Sequence, residues 1–299
     1  MSKHYLILLI LLVWGMPPAR SQHSWNTQID SVLKDKKALV GVHILGLNDG
    51  RELHVNGLQT FPMQSVFKFP IALAVLDLLQ KKELALDHGI YVAKKELLTD
   101  TWSPLRKQYP EGNLTLPISK LLSVMVSQSD NNACDILIRW VGGEEAVQRY
   151  IQQLGISGMK IVANEEAMHK DWNVQYLNYT SPKSSNDLLV KAYQSDILRP
   201  LYRDFFWKIM TETSTGQNRI ISPLPKGSVV SHKTGSSGKT TYGLTGAVND
   251  VGIVQLADGT RYAISVFVVN SLESESANEQ IIADISRITF IHIKAGTIQ

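Results

Sequence analysis

The sequence predicts an α/β protein with an all-α unit inserted in it: an antiparallel sheet, flanked by helices, that is completed by both ends of the chain. Two observations carry this reading. Short apolar runs joined by Asp-Gly turns occur near the start and again near the end. Between them lies a long stretch in which apolar residues recur at helical spacing.

In chain order, "ALVGVHILGL", "NDG" and "RELHVNG" read as two strands and a tight turn, because Asp-Gly supplies the backbone freedom that a short hairpin needs. The helical stretch follows, with "FKFPIALAVLDLLQKK", "PISKLLSVMVSQSD", "NNACDILIRWV", "EEAVQRYIQQLG", "SSNDLLVKAYQ" and "PLYRDFFWKIMTET". Pro70 near the start of the first helix removes few hydrogen bonds, so a kink is expected there rather than a break. "GSVVSHKTG" is a further β-rich run, and "GAVNDVGIVQL", "ADGT" and "RYAISVFVVN" repeat the hairpin signature. "SANEQIIADISRITFIHIK" closes the chain as an amphipathic helix opened by capping residues. Residues 22–63 and 212–299 are thus assigned to the α/β part and 64–211 to the helical part. A cleft is expected where the two meet, drawing on distant segments.

The chain has 299 residues and a net charge of +3, with no long basic run, which points to neither nucleic acid nor an acidic partner. Lys3 and His4 precede the apolar run "YLILLILLVW", and small residues such as Ala19 and Ser21 follow. This reads as a secretory leader over 1–21, cleaved near Ser21–Gln22, and hence as a periplasmic protein; an uncleaved anchor is the alternative. A single cysteine cannot pair within its own chain, and the apolar periodicity around Cys134 makes it a packed, inert thiol.

Three short motifs could carry chemistry. In "QSVFKFP", Lys68 lies three residues after Ser65, so on a helix it reaches the hydroxyl and could activate it as a nucleophile. A snorkelling surface lysine would look the same. "SDN" (Ser129-Asp130-Asn131) ends a helix and is either a cap and turn or a proton relay with an amide hydrogen-bonding group. "KTG" (Lys233-Thr234-Gly235) ends a β-rich run; Lys233 could protect a sheet edge or, with Thr234, bind a substrate carboxylate, with Gly235 letting a ligand approach the backbone. Other signals fail. "GKTT" lacks the earlier glycine of a phosphate loop, the eight histidines form neither H-x-H nor H-E-x-x-H, and no G-x-S-x-G is present.

Together, in this order, S-x-x-K, S-D-N and K-T-G are the set shared by penicillin-binding proteins and class A β-lactamases. Over essentially its whole mature length the chain resembles a class A serine β-lactamase. The resemblance implies a five-stranded antiparallel sheet of the serine β-lactamase and D,D-peptidase type. It also implies hydrolysis of a small-molecule β-lactam substrate through an acyl-enzyme on Ser65, by a monomer with no metal or organic cofactor.

Such enzymes carry a glutamate on a loop between the second and third motifs, here residues 163–178. Glu165 and Glu166 are adjacent candidates. Glu165 fits the family spacing, 36 residues after Ser129 and 68 before Lys233, and leaves Glu166 as a solvated carboxylate. His169 then stands where asparagine usually helps to position the hydrolytic water. Ala163 and Asn178 replace the arginine and aspartate whose ion pair closes this loop in most relatives. Losing both partners avoids a stranded charge and implies an alternative loop architecture, similar to the PER and VEB branch of extended-spectrum enzymes. The resemblance further places the Ser65 and Ser236 N–H groups at an oxyanion hole and Arg219 either at a carboxylate-binding position or on the plain surface. A lean to cephalosporins follows from the loop changes. The rival readings are a penicillin-sensitive D,D-peptidase and a β-lactam sensor that stays acylated, both expected to lack the loop glutamate.

Overall fold

The computed structural model describes residues 19–295, with side chains from residue 25 onward. The expected leader therefore lies almost wholly outside the described residues. Helix α1 (Ala19–Leu33) leads into strands β1 (Leu39–Gly46), β2 (Glu52–Val55) and β3 (Phe61–Pro62). Helix α2 (Lys68–Lys81), β4 (Gly89–Val92), α3 (Pro104–Gln108), β5 (Leu114–Pro117), α4 (Ile118–Ser127), α5 (Asn131–Val141) and α6 (Glu144–Gln153) follow. Next come β6 (Met159–Lys160), α7 (Glu165–Lys170), β7 (Tyr179–Thr180), α8 (Pro182–Gln194) and α9 (Pro200–Thr211). The chain then returns through β8 (Val229–Ser236), β9 (Thr245–Gln255), β10 (Arg261–Ser271) and α10 (Glu275–Ala295).

Both ends of the chain build one five-stranded sheet, ordered β2-β1-β10-β9-β8, and every pairing in it is antiparallel. Apart from the short edge strand β2, its strands are buried on both faces because each face carries helices. Alternation along β10 sends Ile264, Val266 and Val268 to a core with Trp25 and Ile29 of α1 and Ile281 and Ile285 of α10. Ala263, Phe267 and Val269 point the other way, into the larger core that contains α2. Along β8 the same alternation turns Lys233 toward the helical side, opposite Val251.

Helix α2 is apolar all round and buried from Lys68 through Asp77, as a central core helix must be. Pro70 falls in its first turn, where its missing N–H costs no interior bond, and the helix runs unbroken to Lys81.

Three expectations need correction. The insertion is not all-helical: β4 pairs with β5, and β3 and β6 both pair with β7. Residues 163–178 are not simply a loop, because Asn164 accepts a hydrogen bond from Ala167 N–H (2.9 Å) and so caps α7. Helix α1 was not anticipated, although Trp25 and Ile29 sit at helical spacing; it packs on α10, where Trp25 stacks on His292 with ring centroids 5.5 Å apart.

Candidate active site

Ser65 does not lie in α2 itself but in the 3-10 turn Gln64–Phe67 that feeds it. The tighter winding still carries residue i+3 back over residue i. Lys68 Nζ stands 3.1 Å from Ser65 Oγ. It donates to Ser129 O (2.8 Å) and Asn131 Oδ1 (2.6 Å), and it lies 2.7 Å from Glu165 Oε1. Lys68 is wholly buried, which disposes of the snorkelling alternative. A buried ammonium persists only when paired and hydrogen-bonded, and these partners meet that need.

The second motif is both a cap and part of the cleft. Asp130 accepts from Ala133 N–H (2.8 Å) as N-cap of α5 and from Leu105 N–H (2.6 Å), so it ties α5 to α3. Burial nevertheless raises its carboxyl above the ordinary range. Ser129 has φ +59° and Gln64 φ +48°, two left-handed non-glycine residues at the nucleophile, each costing about 1–3 kcal/mol that the surroundings must offset. Asn131 also donates to Thr101 Oγ1 (2.8 Å).

Lys233 reaches across from β8 and donates to Ser129 Oγ at 3.0 Å. Lys68 Nζ lies 3.5 Å from the same oxygen, so two lysine nitrogens bracket one hydroxyl. Complete burial, and then the Lys68 charge, push the Lys233 pKa well below the usual lysine range. Thr234 Oγ1 shares a hydrogen bond with Thr215 Oγ1 (2.5 Å).

The structure assigns Gly235 a different neighbour from the expected ligand. A Cβ there would meet Met63 O at 2.5 Å and Ser65 N at 3.2 Å, so the missing side chain lets the Ser65 turn dock on the strand. Asn249 holds the same turn from below, donating to Pro62 O (2.9 Å) and Met63 O (3.1 Å). Strand β8 is the sheet edge, and Ser237 N–H bonds back to Ala247 O on the β9 side (2.9 Å). Antiparallel alternation therefore turns the Ser236 N–H outward, toward the edge where Ser65 docks.

Arg219 is not a surface arginine. It is buried, ion-paired to Glu279 of α10 (3.1 Å), and donates to Asn249 O (3.0 Å) and Ser236 Oγ (2.7 Å). Its guanidinium braces the end of β8.

Glu165 and Glu166 diverge because adjacent helical residues do not share a face. Glu165 points inward, its side chain 11% exposed; Glu166 points out and pairs with Lys170 (2.6 Å). Asp135, which the sequence reading missed, fixes both: its two carboxylate oxygens accept the N–H groups of Glu165 (2.8 Å) and Glu166 (3.0 Å). Burial raises its pKa to about 6. Its signal was a carboxylate on the apolar side of α5, in "ACDILI". Its neighbour Cys134 is fully buried, which pushes the thiol pKa well up, in keeping with an inert packed group.

A neutral clamp replaces the expected ion pair of the loop. Asn178, fully buried, accepts from the N–H groups of Val162 (2.8 Å) and Ala163 (3.0 Å) and donates to Ala163 O (2.7 Å). Gln64 and Gln175 hydrogen-bond each other and tie the loop to the Ser65 turn. His169 engages Asp100 (3.1 Å) at the rim.

These groups open on a cleft of about 400 Å³, lined among others by Ser65, Asn131, Glu165, His169, Ser236 and Trp102. No cluster of metal-ligating side chains occurs among the described residues. A cleft-facing serine against a buried lysine, a second lysine on an edge strand and an inward loop carboxylate, on this sheet, define a serine hydrolase working by acyl transfer.

The β-lactamase enzyme family model matches residues 24–293. The chain is 43% identical over 291 residues to β-lactamase VEB-1 of Pseudomonas aeruginosa, covering 96% of this chain and 97% of that protein. It is 43% identical over 263 residues to the extended-spectrum β-lactamase PER-1 of the same organism, covering 88% and 85%. Among solved structures, the TLA-1 extended-spectrum β-lactamase is similar at a TM-score of 0.90 and 47% identity, covering 91% of this chain and 99% of that one. The chain belongs to the β-lactamase enzyme family, as a class A enzyme.

Proposed function

We propose that this enzyme opens the β-lactam ring through an acyl-enzyme on Ser65, that Glu165 drives its hydrolysis, and that the protein works in the periplasm after loss of residues 1–21. The observation that carries the reading is the Lys68 ammonium, within 3.1 Å of Ser65 Oγ and 2.7 Å of Glu165. One buried cation thereby links the nucleophile to a carboxylate that could activate water.

In acylation, either Glu165 takes the Ser65 proton through a water, or Lys68 takes it after first passing one of its own protons to Glu165, 2.7 Å away; Ser65 Oγ then attacks the lactam carbonyl. The Ser65 and Ser236 N–H groups receive the oxyanion. Ser129, between the two lysine nitrogens, returns a proton to the departing ring nitrogen. Lys233 and Thr234 attract the substrate carboxylate. In deacylation Glu165 takes a proton from water, the resulting hydroxide attacks the ester carbonyl, and Ser65 leaves with its proton restored.

The similarity to PER-1 and TLA-1, both extended-spectrum β-lactamases, supports an extended spectrum, and with the altered loop it favours cephalosporins. The test is sustained turnover of a chromogenic cephalosporin by protein purified from the periplasmic fraction. We expect many turnovers per enzyme and a mature chain starting near Gln22. A single acylation without turnover contradicts the hydrolase reading, and a cytoplasmic chain starting at Met1 contradicts the export reading.

A further inference from the structure

Deacylation poses a supply problem. The acyl group fills the cleft from which Glu165 would otherwise draw water, yet each turnover consumes one water molecule at that carboxylate. Adjoining the cleft at Glu165 lies a second cavity of about 10 Å³, which is room for about one water molecule. It shares Thr101, Asn131, Glu165 and His169 with the cleft. On its other side it shares Leu98, Asn132, Asp135 and Glu166 with an outer pocket of about 310 Å³. The Arg139–Glu96 ion pair (2.8 Å), partly exposed, stands in that outer pocket.

We propose that water reaches Glu165 by a second route, from the outer surface through this cavity, and that the side chain of Leu98 gates it. This rests on the reading of Glu165 as the deacylating base. The small cavity has the polar partners that a water needs, with Thr101, Asn131, Asp135 and Glu165 on its walls. Leu98 is the apolar side chain common to the cavity and the outer pocket. Its backbone cannot swing aside, because Asn132 binds it from both ends of its amide: Leu98 N–H donates to Oδ1 (3.2 Å) and Nδ2 donates to Leu98 O (3.1 Å). The gate is therefore the side chain alone, half-buried and able to change rotamer.

The test is a volume series at this position, Leu98→Ala, Leu98→Phe and Leu98→Trp, in the full-length protein. Pre-steady-state kinetics with a chromogenic cephalosporin separate the acylation burst from deacylation. We expect acylation to stay constant through the series, while deacylation falls with side-chain volume, by about tenfold from Ala to Trp. Deacylation that is flat across the series overturns the route. So does a parallel loss of acylation and deacylation, which marks a distorted loop rather than a blocked path. Leu98→Ala and Leu98→Phe keep the comparison open if the tryptophan variant does not fold. Glu165→Ala in the same assay separates the two claims. If it deacylates like the parent enzyme, the reading of Glu165 fails; if it accumulates acyl-enzyme while the Leu98 series is flat, only the route fails.

Discussion

Asp135 carries more of the site's geometry than its place outside any motif suggests. Both of its oxygens are committed to the backbone of the two glutamates, and burial holds its pKa at about 6 against an ordinary value of 3.8. The sign of the linkage follows from the raised value. Between about pH 4 and 6 the folded protein binds this proton more readily than the unfolded chain, so the group stabilises the fold as pH falls through that window and loses the contribution as pH rises through it. The size is at most about 3 kcal/mol. Asp135→Asn cannot titrate. Melting temperatures across this window should therefore show the parent gaining on the variant as pH drops. A constant difference between the two would show that Asp135 has the same pKa in the folded and unfolded chain, and a parent that loses ground as pH drops would show a lowered one. Gly235 makes the complementary point about small residues, since its value lies in the side chain it lacks, which lets the Ser65 turn close on β8.

At the scale of elements, the two ends of the segment from Val162 to Asn178 are closed on each other by amide chemistry instead of an ion pair. The sequence made half of this legible: Ala163 and Asn178 together imply that the usual ion pair is gone. It could not show that one buried asparagine replaces the pair by binding the backbone at both 162 and 163. Asn178→Asp would keep the acceptor but lose the donor to Ala163 O and introduce a buried charge with no cation at Ala163. We expect about 1–3 kcal/mol lower stability and a larger fall in deacylation than in acylation. Denaturant melts and burst kinetics check this; an aspartate variant as stable as the parent would mean that the clamp contributes nothing. Helix α7 has the same origin. Its six residues give too little periodicity to read, but its Asn164 cap and first residue, Glu165, set which glutamate faces Lys68.

On the scale of the whole molecule, the two hairpins and the long helices were legible because each has a local period and a local turn signal. The two-residue strands have neither, and α1 had its period obscured by the leader beside it. The three motifs were legible for a similar reason: each sits at an element boundary and is contiguous in sequence. What closes the site is not contiguous. Asn249 under the turn, Gln175 against Gln64, Arg219 on Ser236 and Asp135 on α7 meet only when the sheet, built from both ends of the chain, brings β8 against the helical unit. Arg219 shows the consequence: its position suggested a ligand contact, and its tertiary partners show a brace.

The central claim is that this closure delivers one of two neighbouring carboxylates to Lys68 and leaves the other in solvent. Intact-protein mass spectrometry after mixing with a cephalosporin tests it directly. Glu165→Ala should accumulate the acyl-enzyme adduct on Ser65, while Glu166→Ala should clear the substrate as the parent does. Accumulation in Glu166→Ala with clearance by Glu165→Ala would contradict the account.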